Sequence, residues 1–244
     1  MTALDLQSPV DLEKAENLTA ATARAMTGRG DLRYRRHLLH VGRRLVAARA
    51  PFVHPDVDTQ SMTDLRGATD GMAMWLRFSD PVVLAEFRPD DSLEDLIYEI
   101  LEQFRVEALI PASLTGARAN VRERFHRWTQ SFIDDGLLEN DLGLLIFTAI
   151  QVCRSRTLAE PMSDQVNDRT EATRAGLYEI LGSRLRDLRP RVHDQRAFAE
   201  ASIEIAAAIG SLAETIPAGR SGTRPRASLL AMFEFDEAHE LDLD

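Results

Sequence analysis

The chain has a single cysteine, Cys153, and a single lysine, Lys14, among 244 residues. One cysteine excludes an internal disulfide framework and a zinc site built from cysteines of one chain. One lysine leaves nearly all cationic work to arginine, the better partner for a buried carboxylate. Aromatic residues are scarce at 6%, while Ala, Leu and Arg abound, a balance that favours helices over a β-sandwich. No apolar run reaches the ~20 residues of a transmembrane helix, and no charged, apolar, small-residue leader opens the sequence. The expected setting is therefore the cytoplasm, with no membrane partner. A phosphate-cradling glycine loop and Gly-x-Ser-x-Gly are both missing, which argues against an ATPase or dehydrogenase acting alone. The formal net charge of −10 argues against a nucleic-acid partner.

Helix punctuation, by contrast, is plentiful. Ser8, Pro9 and Asp11 mark a helix start whose run ends near Gly28. Ser61 and Asp64 stand in capping-box positions of a second helix that reaches about Phe78. Ser79, Asp80 and Pro81 break it and open a short helix ending before Pro89. Ser92 as cap, with Asp95 three residues on, begins a long helix that Pro111 ends or kinks. Three more helices are read from apolar stripes: Leu138, Leu142, Leu145, Ala149 and Cys153; Leu177, Leu181, Leu185 and Leu188; Phe198, Ser202, Ile205, Ile209 and Leu212.

Residues 31–60 resist a single reading. "LRYR" alternates like a strand, "HLLHVGRRLVAA" has helical content interrupted by Gly42, and Pro51 and Pro55 force an extended stretch. The fold class is mostly α, an irregular multi-helix bundle with an extended segment near 31–60. A helical domain over 1–216 is expected to be followed by a flexible Gly/Pro/Arg/Ser linker and an acidic tail over 217–244. In that tail Leu229, Leu230, Met232 and Phe233 precede six acidic residues from Glu234 to Asp244. Two readings stay open: the tail docks on a basic partner surface, or its apolar residues fold back onto their own domain.

Few residues carry a chemical signal. His37 and His40 are one helical turn apart if their segment is helical, without a third ligand nearby; a solvated or locally hydrogen-bonded pair ranks above a metal site. His126 reads as a surface or packing residue and Cys153 as a small buried hydrophobe. Glu102 and Arg105 can pair along one helix, where an exposed pair contributes about 0.3–0.5 kcal/mol. Glu107 falls within the apolar face of Leu93, Leu96, Ile97, Ile100, Phe104 and Ala108, and there a carboxylate needs a partner from elsewhere. Arg66, four residues before Asp70 on the preceding long helix, is the expected partner. On that reading, Glu107→Ala strands an arginine at about 3–5 kcal/mol. Metal binding or proton transfer by Glu107 ranks second, and a metal-dependent hydrolase using His37, His40 and Glu107 is the rival from another functional class.

Taken in order, "LRGATDGMAMWLRFSDP", "YEILEQFRVEAL" and "LTGARANV" resemble the N-terminal region of the cobaltochelatase CobT subunit. The matching residues are Arg66, Gly67 and Asp70; Glu102, Gln103, Arg105, Val106, Glu107 and Ala108; and Gly116 and Asn120. "TARAMTGRGDL" and "VHDQRAFAEASIEIAAAI" extend the likeness over about residues 15 to 215.

The resemblance implies a helical assembly region that is not catalytic alone, with no cofactor of its own. Its partners would be an AAA+ ATPase and a large porphyrinoid-binding subunit in an oligomeric complex. That complex uses ATP and magnesium to insert cobalt into hydrogenobyrinic acid a,c-diamide during cobalamin synthesis. In the family a von Willebrand factor A-type domain follows an acidic linker, so the likeness here covers the helical region. A related alternative is the helical part of an A-domain protein that works with a MoxR-type ATPase to activate another metalloenzyme, as NorD does. Under the resemblance Arg66, Asp70, Glu102, Gln103, Arg105, Glu107, Gly116 and Asn120 form a structural or interaction motif, with neither catalytic residues nor metal ligands among them.

Overall fold

The computed structural model describes residues 9–35, 38–46, 50–54 and 61–216. The linker and tail at 217–244, His37 and Pro55 lie outside the described residues. Eight helices account for most of the rest: α1 (Pro9–Thr27), α2 (Met62–Phe78), α3 (Pro81–Glu86), α4 (Ser92–Ala108), α5 (Thr115–Asp134), α6 (Asp141–Leu158), α7 (Asp164–Leu188) and α8 (Gln195–Thr215). A small antiparallel sheet of β1 (Leu32–Arg35), β2 (Leu38–Val41) and β3 (Arg44–Leu45) occupies the ambiguous region. The fold is mostly α.

Caps set these boundaries. Gly28 takes φ +70° and returns its N–H to the Arg24 carbonyl at 2.9 Å, closing α1 with a left-handed residue. Ser61 Oγ accepts from the Asp64 N–H at 3.2 Å and donates to the Asp64 carboxylate at 2.7 Å, so that box forms as expected. The cap of α4 is Asp91 rather than Ser92, because its carboxylate accepts from both the Leu93 and Glu94 N–H groups. Leu138 precedes α6, in a 3-10 turn over Leu137–Glu139. Pro51 likewise begins a 3-10 turn, Pro51–Val53, rather than an extended stretch. The helix α5 has no counterpart in the sequence reading.

The described residues group into two compact units. The first takes those of Met1–Phe78 and Ile110–Gln130, the second those of Ser79–Leu109 and Ser131–Phe235. In the first unit α1 packs on α2 and on β1. β1 and β2 pair from Leu32 opposite Val41 to Arg35 opposite Leu38, and Gly42 at φ +63° turns the chain into β3. Phe52, Phe125 and Trp128 form an aromatic cluster with centroids 5.1 to 5.7 Å apart.

At Gly67 the helix α2 comes close to α5. A Cβ there would lie 2.6 Å from Arg124 Cβ and 2.7 Å from the Asn120 carbonyl oxygen. We expect Gly67→Ala to lower stability by about 1–3 kcal/mol in a denaturant titration, because one obstacle is a backbone oxygen and the other a Cβ fixed to the backbone, and neither can swing aside.

In the second unit four helices close a ring of contacts: α4 touches α6 and α8, and α7 touches the same two. Leu177, Leu181, Leu185 and Leu188 of α7 are all buried, as are Phe198, Ser202, Ile205 and Ile209 of α8, so these stripes face inward as their spacing requires, while Leu212, the last of the α8 stripe, is only half-buried. The helix α4 is buried on every side from Leu96 to Glu107, charged residues included. Those charges must therefore be partnered within the protein.

Cys153 lies in the buried face of α6, and burial pushes its thiol up to about 12. The native protein should accordingly leave a thiol reagent unconsumed at pH 8 and consume one equivalent only once unfolded.

Candidate functional site

The motif residues separate into two polar clusters, one in each unit. In the first, Asp70 is completely buried on α2. It accepts from Asn120 Nδ2 of α5 at 2.8 Å and from Arg66 Nη2 at 3.3 Å on each carboxylate oxygen. Arg66 Nη1 also donates to Thr22 Oγ1 of α1 at 3.2 Å. One carboxylate thus ties α2 to α5, and its arginine ties α2 to α1. Burial holds the Asp70 carboxyl above the usual range, against the opposing bond from Asn120 and the charge of Arg66. Next to it, Thr69 Oγ1 meets the Tyr34 hydroxyl of β1 at 2.5 Å and donates to the Leu65 carbonyl, which pins the sheet to α2. Gly116 is exposed, with open space where a Cβ would stand; nothing in the structure explains its place in the motif.

The second cluster centres on α4. Glu102 and Arg105 pair as expected, but the expected exposure is wrong: the two side chains are 3% and 2% exposed. Arg105 Nε and Nη2 each donate to one Glu102 oxygen at 2.7 Å, and Nη1 donates to the Val192 carbonyl at 3.2 Å. Glu102 Oε1 also accepts from Ser79 Oγ and from Gln195 Nε2. Gln195 in turn donates to the Asp80 carbonyl and accepts from the Asp80 N–H. A fork of two parallel bonds, with further donors on the same carboxylate, is the geometry in which a buried ion pair is tolerated.

Glu107 is buried on its apolar face, as its spacing requires, but its arginine is not Arg66. Arg154 of α6 supplies the charge, with Nη2 3.6 Å from Glu107 Oε2. That is an ion-pair distance and too long for a hydrogen bond. Gln103 Nε2 donates to Oε1 at 3.3 Å, while buried Oε2 accepts no hydrogen bond among the described residues. Arg154 is divided, since its Nη1 donates to Glu160 at 2.8 Å. Burial pushes the Glu107 carboxyl up to about 7, with Arg154 and the Gln103 bond only partly opposing it and Glu160 adding to the rise.

Arg66 was the wrong choice because its own helix already supplies Asp70, four residues on. Residues 142–153 contain no charge, so Arg154 is the first cation in an apolar run. That was the available signal. Glu160, Ser79, Gln195 and the Val192 carbonyl left no comparable trace.

Of the two paired histidines, only His40 is among the described residues. His40 lies in the strand β2 rather than in a helix, and its Nδ1 is 2.9 Å from the Leu38 carbonyl. Among the described residues no group of three or more His, Cys, Asp or Glu could hold a metal ion. His126 is exposed. No helix among the described residues is long and apolar enough to cross a membrane.

Comparison with curated proteins and with solved structures finds none that matches the chain. The family model described as cobalamin biosynthesis protein CobT matches residues 10–217, which takes in both polar clusters and all but the first residue of the helical region. The chain belongs to the family of the cobalamin biosynthesis protein CobT.

Proposed function

We propose that this helical region is an assembly element of a cobaltochelatase subunit. It works in the cytoplasm beside an AAA+ ATPase and a large porphyrinoid-binding subunit, in the ATP-dependent insertion of cobalt into hydrogenobyrinic acid a,c-diamide. Nucleotide and magnesium belong to the ATPase partner on this reading, and cobalt is cargo. The family match supports it. The observation that carries the non-catalytic part is where the motif side chains go. Asp70 and its partner Arg66 reach Asn120 of α5 and Thr22 of α1, and Glu102, paired with Arg105, accepts from Gln195 of α8, so these polar groups are used in joining helices to one another. A net charge of −10 suits steering toward a basic partner surface.

Size-exclusion chromatography of the chain with the ATPase subunit, in the presence of ATP, tests the proposal. Co-elution is expected, together with no ATP turnover by the chain alone. Steady turnover by the pure chain, abolished by one substitution within it, would overturn the assignment.

A further inference from the structure

We propose that Glu107 is a proton-binding site, and that Arg154 passes between Glu107 and Glu160 as the proton binds and leaves, making the α4–α6 contact responsive to pH. This rests on charge and geometry rather than on the family.

Two carboxylates share one guanidinium here: Arg154 Nη2 faces Glu107 and Nη1 faces Glu160. With both acids ionised the trio carries one surplus negative charge. That surplus is worst tolerated on the more buried acid, and the Glu107 side chain is 1% exposed against 27% for Glu160. The hydrogen bonds agree. Glu160 takes a direct 2.8 Å bond from Arg154, whereas Glu107 Oε2 accepts none.

The backbone keeps Glu160 in the competition. Ala159, at φ +54°, caps α6 in the left-handed region that favours glycine, and Glu160 follows it back against Arg154. Among the described residues Glu107 has no ion pair other than that with Arg154. On its own helix Gln103 is neutral; the buried face of α6 has Arg154 and the Cys153 thiol as its titratable groups; and that of α8, from Phe198 to Gly210, has none.

A proton from water, placed on Oε2, neutralises the surplus and frees Arg154 to commit to Glu160, which removes this ion pair from the α4–α6 contact. Loss of the proton divides Arg154 again and returns an ionised acid to the interior. The carboxyl is pushed up to about 7 by burial, so the exchange falls in the neutral range.

Infrared difference spectra of the whole chain between pH 6 and pH 8.5 read the proton directly. The carbonyl band of a buried carboxylic acid should be present at pH 6, lost by pH 8.5 and missing in Glu107→Gln. Glu160→Gln should move its midpoint to lower pH, because Arg154 then serves Glu107 alone. Hydrogen exchange gives the mechanical readout. From pH 6 to pH 8.5 the protection of the last turns of α6 should fall about tenfold more in the native chain than in Glu107→Gln, as one proton lost over this window dictates. An acid band that is absent at pH 6 or persists in Glu107→Gln overturns the proposal. So does α6 protection that follows Glu107→Gln across the pH range.

Discussion

Replacing Glu102 by alanine should cost about 3–5 kcal/mol of folding stability, the largest loss expected from a single polar side chain here. The carboxylate removed is the one that both nitrogens of the Arg105 fork engage, and Arg105 is among the most completely buried large side chains. Without Glu102 a guanidinium stays in the interior with its charge uncompensated by that acid, keeping the Val192 carbonyl as acceptor. Ser79 and Gln195 lose an acceptor in the same step. Arg105→Ala should cost less, since Glu102 would retain its bonds from Ser79 and Gln195. The double variant should cost less than the sum of the two single losses, because the pair leaves together. Denaturant unfolding of the three variants measures all of this. A loss below about 1 kcal/mol for Glu102→Ala would mean that water reaches the pair and screens it.

The second large effect is on the pH dependence of stability. Folding raises the Glu107 carboxyl to about 7 from its ordinary value of 4.5, so between these pH values the folded chain binds more protons than the unfolded one. Stability must then decrease as pH rises through this window, the reverse of a salt-bridged acid with a lowered value. Integrated from pH 5 to pH 7.5, the loss is about 2 kcal/mol. Glu107→Gln keeps the shape of the protonated acid and cannot ionise, so its stability should fall about 2 kcal/mol less over the same range. Parallel unfolding curves at the two pH values test this; identical pH dependence in both proteins would show that Glu107 stays ionised throughout. The division of Arg154 also revises the expectation that Glu107→Ala strands its arginine. Glu160 remains bonded to Arg154, so the loss should fall short of 3–5 kcal/mol.

Legibility followed the range of the interactions. Local signals came through: the Ser61–Asp64 box, the Gly28 terminator, the break at Ser79 and Pro81, and the stripes of α7 and α8 all depend on neighbours within a few residues. The helix α5 was missed although Ala117, Val121, Phe125 and Phe132 are buried at near-helical spacing, because arginine and polar residues dilute that stripe. At 32–45 the choice between strand and helix turned on tertiary pairing, which short apolar runs do not encode. In the polar clusters the burial of Glu107 could be read from one helix face, but its partner lies across 47 positions, between Glu107 and Arg154. Several long-range partners are carbonyls or amides, such as Val192 and Gln195, which look like any other residue in a sequence.

On the function proposed above, this region assembles a chelatase and does no chemistry alone. Reconstituted cobalt insertion measures that most directly, with the ATPase subunit, the large porphyrinoid-binding subunit and ATP supplied, and the protein carrying this region present or omitted. Insertion should fall to background on omission while the ATPase subunit still turns over ATP. Undiminished insertion without it, or insertion by it alone, would refute the assembly role.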